Sequence, residues 1–142
     1  MFINGPDVTI TSSTFSGNTA INTGGGIYTY SNTNLAISNS SITGNSTSGN
    51  GGGISNGENC TLSLVNVNVD SNSSGNGGGL YNSNGHYKAT LSTFNSNTAS
   101  NDAGGIYSLS GETEDDADTL YQCIISGNTS NNNGGGIYID NY

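Results

Sequence analysis

Apolar residues are sparse along this chain, but they return in step. An apolar residue closes a run of small ones at Gly24-Gly25-Gly26-Ile27, Gly51-Gly52-Gly53-Ile54, Gly77-Gly78-Gly79-Leu80, Ala103-Gly104-Gly105-Ile106 and Gly134-Gly135-Gly136-Ile137. These apolar residues stand 27, 26, 26 and 31 positions apart. A second motif sets an apolar residue three places before an asparagine: Phe15-Asn18, Ile42-Asn45, Val69-Asn72, Phe94-Asn97 and Ile125-Asn128. Each asparagine precedes its glycine-motif partner by nine positions, or by eight in the third copy. Two motifs locked in phase over five copies mark a stacked repeat.

Further apolar residues keep the same phase. Ten and eight positions before the motif asparagine stand Val8 and Ile10, Leu35 and Ile37, Leu62 and Leu64, then Tyr87 and Ala89, and last Asp118 and Leu120. Such period-two pairs between Gly, Asn and Ser turns read as short strands, and no stretch has a 3.6-residue apolar period. A repeat of this size cannot bury its own apolar face, but it can on a neighbour about 4.8 Å away. Parallel crossovers are right-handed. The pattern therefore predicts an all-β fold, a right-handed single-stranded parallel β-helix (solenoid) of about five coils, over 1–142 as one domain with an acidic loop insertion at 110–118.

Column by column, Phe15, Ile42, Val69, Phe94 and Ile125 form the large core stack, and Ser13, Ser40, Val67, Ser92 and Cys123 line a tight interior. Asn18, Asn45, Asn72, Asn97 and Asn128 align as a structural ladder at a corner, each amide bonding the coils above and below. The glycines supply corner backbone angles and close coil approach, not a phosphate loop.

Composition alone points elsewhere. Asn, Gly, Ser and Thr number 24, 23, 22 and 16, which is 85 of 142 residues, and the net charge is -9. That is the signature of a disordered polar segment, and the periodicity overrules it.

The paired motifs, as at 15–18 and 24–27, resemble the GGA-Ile and F-x-x-N repeats of chlamydial polymorphic membrane proteins and related bacterial β-helix surface proteins. The resemblance implies the surface-exposed passenger of an autotransporter, with adhesion as its role. One departure is constant: a glycine stands where the family has the alanine, and Ala103 instead occupies the first position of the fourth copy.

Lys88 is the single basic side chain against ten carboxylates, which disfavours nucleic acid and anionic membrane surfaces as partners. No apolar run is long enough to span a bilayer as a helix, so membrane insertion is not expected. Met1-Phe2-Ile3-Asn4-Gly5-Pro6 has neither a charged nor an apolar leader region, and the chain reads as a segment of something larger. Its polar, lysine-poor composition favours an extracellular or cell-surface setting. Cys60 and Cys123 lie two copies apart, about 9.6 Å by strand spacing, so two free thiols are expected, with Cys123 buried.

Candidate sites are few. Polysaccharide-cleaving β-helices need a carboxylate pair or a basic residue that takes a proton. Here Asp7, Asp70, Asp102 and Asp140 are scattered among turns, and His86 and Lys88 share one loop, 82–88. A polysaccharide-active enzyme is thus the weakest reading. Glu112, Glu114, Asp115, Asp116 and Asp118 hold half of all carboxylates and offer oxygens for calcium, the one candidate cofactor, although no EF-hand spacing accompanies them. The alternative is a solvated acidic loop. After each glycine motif come Tyr28, Ser55, Tyr81, Tyr107 and Tyr138, facing outward if their neighbours face inward. Tyr28, Tyr81, Tyr107 and Tyr138 then form an aromatic strip that either binds a glycan or protein partner or merely covers the sheet.

Two functions follow besides the enzyme. One is a non-enzymatic structural or adhesive module with a host or environmental glycan or protein as partner. The other is a self-assembling subunit that stacks end to end into an extracellular filament, since an open β-helix has a free strand edge at each end.

Overall fold

The computed structural model describes residues 1–110 and 117–141, and among them nineteen strands and no helix. Every pairing is parallel, and like residues of successive copies lie opposite one another. The result is a β-solenoid of about five coils, numbered one to five by their ladder asparagines.

Each coil passes through three sheets. The long sheet holds Asp7–Thr11 and Thr14–Ser16, then Asn34–Thr43, Thr61–Asp70, His86–Thr90 with Thr93–Asn95, and Thr119–Tyr121 with Ile124–Ser126. The hydroxyl sheet holds the two-residue strands Thr19–Ala20, Ser46–Thr47, Ser73–Ser74, Thr98–Ala99 and Thr129–Ser130. The glycine-motif sheet runs through Phe2–Ile3, Ile27–Thr29, Ile54–Asn56, Leu80–Ser83, Ile106–Ser110 and Ile137–Asn141.

Corners are set by left-handed residues. The position before each ladder asparagine has positive φ: Gly17, Gly44, Ser71, Ser96 and Gly127, all between 54° and 64°. So does the first residue of each glycine motif, including Ala103 at 56°, a conformation that glycine takes freely and alanine only under constraint. The second glycine is needed for a different reason. A Cβ on Gly25 would stand 2.4 Å from the carbonyl oxygen of Gly52, and one on Gly52 would stand 2.5 Å from that of Gly78. A side chain there would pry the coils apart.

The interior is one continuous stack. Ile27, Ile54, Leu80 and Ile106 of the glycine motif meet Leu35, Leu62, Ile37, Leu64, Ile42, Val69 and Phe94 from the long sheet, all buried. Of the tight-interior column, Ser40, Val67 and Ser92 are buried, and the Ser92 hydroxyl accepts the Val67 amide at 3.1 Å.

Two expectations are corrected. Cys123 is only half-buried, because coil five has a neighbour on one side; Cys60 is the buried thiol, and both are free. The stretch 82–88 is not a loop throughout: His86–Thr90 pairs in register with Thr61–Val65, which brings His86 and Lys88 into the long sheet opposite Thr61 and Ser63.

Candidate functional site

On the glycine-motif strands the side chains alternate between core and surface. Ile27 and Thr29 are buried while Tyr28 between them is half-exposed. Strand register then lines up Phe2, Tyr28, Ser55, Tyr81, Tyr107 and Tyr138 in one outward column. The rings touch: Phe2 and Tyr28 are 5.5 Å apart, Tyr81 and Tyr107 stack at 5.0 Å, and Tyr107 and Tyr138 stand 5.3 Å apart. Tyr30, on the far side of Thr29, packs at 6.1 Å from Tyr28 and 6.2 Å from Phe2. Phe2 and Tyr30 therefore extend an aromatic face that sequence reasoning had limited to four tyrosines.

Two phenols of the column, those of Tyr28 and Tyr107, are shielded. Burial, then the neighbouring Tyr30, pushes the Tyr28 phenol above its ordinary pKa. Burial raises that of Tyr107 further, assisted by the Asp140 carboxylate that accepts its hydroxyl at 3.2 Å. At neutral pH these rings are uncharged.

Ser55 interrupts the column. Its side chain is 3% exposed, and its oxygen accepts the Thr23 hydroxyl at 2.9 Å. Above it opens a cleft of about 420 Å³ lined by Tyr28, Tyr30 and Tyr81, with Glu58, Asn59 and Ser83 at its margin.

The other candidates have structural partners. Asn18, Asn45, Asn72, Asn97 and Asn128 form a ladder in which each Oδ1 from Asn45 on accepts both the backbone N–H and the Nδ2 of the asparagine one coil earlier, at 2.9–3.1 Å. Each amide from Asn45 on also donates to a carbonyl of the coil before, as Asn72 does to Ile42 at 2.9 Å.

A second buried ladder was not anticipated. Thr29 donates to Asn56 at 2.9 Å, Asn56 to Asn82 at 2.8 Å, and Asn82 to Ser108 at 3.3 Å. Asp118, one of the calcium candidates, closes this ladder: its carboxylate accepts from Ser108, from Asn82 and from the Tyr87 backbone at 3.0 Å. The other calcium candidates, Glu112, Glu114, Asp115 and Asp116, lie outside the described residues. Asp102 is not an isolated turn carboxylate either. It sits in a third column with Asn50, Asn76 and Asn133, and accepts both amides of Asn133 at 2.9 Å. Among the described residues no three His, Cys, Asp or Glu come together as metal ligands would.

Comparison with known families turns on the same columns. The model of the Chlamydia polymorphic membrane protein repeat matches residues 12–30, 92–109 and 122–140. Three coils carry polymorphic membrane protein-type repeats. Each match runs through a ladder asparagine, the glycine corner and the strand that bears the outward tyrosine, in coils one, four and five. Coils two and three lie outside the matched stretches and stack in the same register. No curated protein and no solved structure matches the chain significantly. The matched family is one of membrane proteins by its description; among the described residues no helix is long and apolar enough to cross a membrane, which says nothing of a β-barrel.

Proposed function

We propose that this chain is a non-enzymatic, cell-surface or extracellular β-solenoid module that adheres through its aromatic face. The observation that carries this reading is the column from Phe2 to Tyr138, a row of solvent-facing rings on one side of the stack, interrupted at Ser55. Aromatic residues combine large contact area with few rotatable bonds, which lowers the entropic cost of binding. Two polar ladders and a continuous core keep the rows in place, so the face is preorganised. The match of three coils to a repeat of membrane proteins supports a surface setting. The partner is a host or environmental glycan or glycoprotein.

The test is retention of the purified chain on a panel of immobilised glycans and glycoproteins. The variant with Tyr28→Ala, Tyr81→Ala and Tyr107→Ala together is expected to lose at least tenfold in retention while keeping its β-sheet dichroism. A wild type that adheres to nothing on the panel, or a triple variant that adheres as well as wild type, rejects the reading.

A second reading is end-to-end assembly with other copies of the chain. The asparagine-to-asparagine bonds have a direction: each runs from an N–H of one coil to the Oδ1 of the next. Asn128 accepts from Asn97 and points its own backbone N–H onward, while Asn18 donates to Asn45 and points its Oδ1 the other way, so the two ends are complementary. Coil five also exposes Ile139, in the column of the buried Ser108. A head-to-tail contact does not close on itself and so builds a fibre. Electron microscopy at rising protein concentration is expected to show rods of several lengths; particles of a single length at every concentration reject it.

A further inference from the structure

The interruption at Ser55 is itself a site. Five of six positions in the outward column are aromatic, and the sixth leaves a slot two rungs wide between Tyr28 and Tyr81, about 9.6 Å at the usual strand spacing. A flat guest in the slot stands about 4.8 Å from each wall, close to the 5.0 Å at which Tyr81 meets Tyr107. Both walls are braced from behind: Tyr28 rests on Phe2 and Tyr30, and Tyr81 rests on Tyr107. The slot is therefore preformed, and its volume of about 420 Å³ is in the range of small-molecule sites.

Its lining selects the guest. The walls are aromatic faces, which attract the C–H faces of a saturated ring. The margin is polar: Glu58 and Asn59 project from an exposed turn held by the left-handed Asn59, with Asn50 and Ser83 nearby. A carboxylate and amides at the edge of a stacked ring meet the several hydroxyls of a sugar, whereas an aromatic side chain brings at most one hydroxyl along its rim. Charge narrows the class further. Glu58 lines the slot, the chain carries -9 overall, and its single basic side chain, Lys88, belongs to the long sheet. Uronic and sialic acids are repelled.

We infer that the Ser55 slot binds one neutral pyranose ring, clamped between Tyr28 and Tyr81 with its hydroxyls on Glu58 and Asn59. This rests on the adhesive reading and locates its contact point.

The decisive variant is Ser55→Tyr, which supplies the missing ring from within. It is expected to stack between Tyr28 and Tyr81, to hold or raise the melting temperature, and to abolish binding. The probes are methyl β-galactopyranoside, methyl β-glucopyranoside and N-acetylneuraminic acid, followed by saturation-transfer NMR and by amide shift mapping on the wild type. The expected result is binding of a neutral glycoside in the millimolar range, shifts centred on residues 28, 55 and 81, at least tenfold weakening in Tyr81→Ala, and no binding by the sialic acid. Shift mapping reads the wild type alone, so it decides even if a variant folds poorly. Shifts centred elsewhere, a Ser55→Tyr variant that binds like wild type, or equal binding of the sialic acid overturns the inference. If the wild type adheres to the panel of glycans and glycoproteins yet ignores both glycosides, the slot is wrong and the adhesive face stands. If it adheres to nothing, both fall.

Discussion

Coil two and coil five carry the same glycine motif, and their isoleucines meet different fates. Ile54 has a coil on either side and is 0% exposed; Ile137, in the same column three rungs on, is 37% exposed. The long sheet repeats the contrast. Val69 and Leu64 are fully buried, whereas their column mates Ile125 and Leu120 are half-buried. A coil does not own its core. Burial here belongs to the contact between coils, as it does in repeat proteins generally.

The comparison breaks most visibly through one substitution made twice. Ile54→Ala empties a sealed position flanked by Ile27 and Leu80 and is expected to cost about 3 kcal/mol. That corresponds to a melting point roughly 10 °C lower in a chain of this size. Ile137→Ala removes a side chain already partly in water and with one neighbouring coil, so its cost is expected below about 1 kcal/mol. Thermal unfolding followed by circular dichroism measures both. Equal losses would show that coil five is as well covered as coil two, and a covering copy or coil would have to be found.

How much of this was readable beforehand follows from what repeats. Both primary motifs are apolar-plus-turn columns, so a search for periodic hydrophobes found them, and the asparagine ladder came with them. The second ladder escaped because Thr29, Asn56, Asn82 and Ser108 share only size and polarity. Its signal was present: each stands two positions after the glycine-motif apolar residue, hence on the same inward side of its strand. Phe2 and Tyr30 were missed because they lie beside the motif columns, and only register places them against Tyr28. The bend that divides the long sheet was illegible. It puts Ser12, Asn39, Asn66, Leu91 and Gln122 at positive φ, and nothing in the residue type of Leu91 announces a left-handed corner. The interruption at Ser55 could be seen as a gap in a list, but not as a cleft, because the depth depends on how Tyr30 and the Glu58 turn frame it.

The smallest expected effect concerns where coil four meets coil five. Tyr87 takes the column position held by Leu62 in coil three, and its own successor in coil five is Asp118. An apolar column thus ends with a carboxylate beside a phenol. Burial raises the Tyr87 phenol well above its ordinary pKa, and the negative charge of Asp118 adds to the rise. A pKa raised on folding means that the folded chain favours the neutral phenol. This contribution is complete below the unfolded value near 10 and is lost as pH climbs above it. Tyr87→Phe removes the titration but keeps the ring, so at neutral pH stability is expected to change by no more than about 1 kcal/mol. Between about pH 9 and 11 the variant is expected to lose less stability than wild type. Urea midpoints at both pH values give the difference; since the remaining tyrosines titrate in both proteins, only the gap between the two slopes counts. Parallel slopes would mean that the Tyr87 phenol is no more protected from ionisation in the folded chain than in the unfolded one.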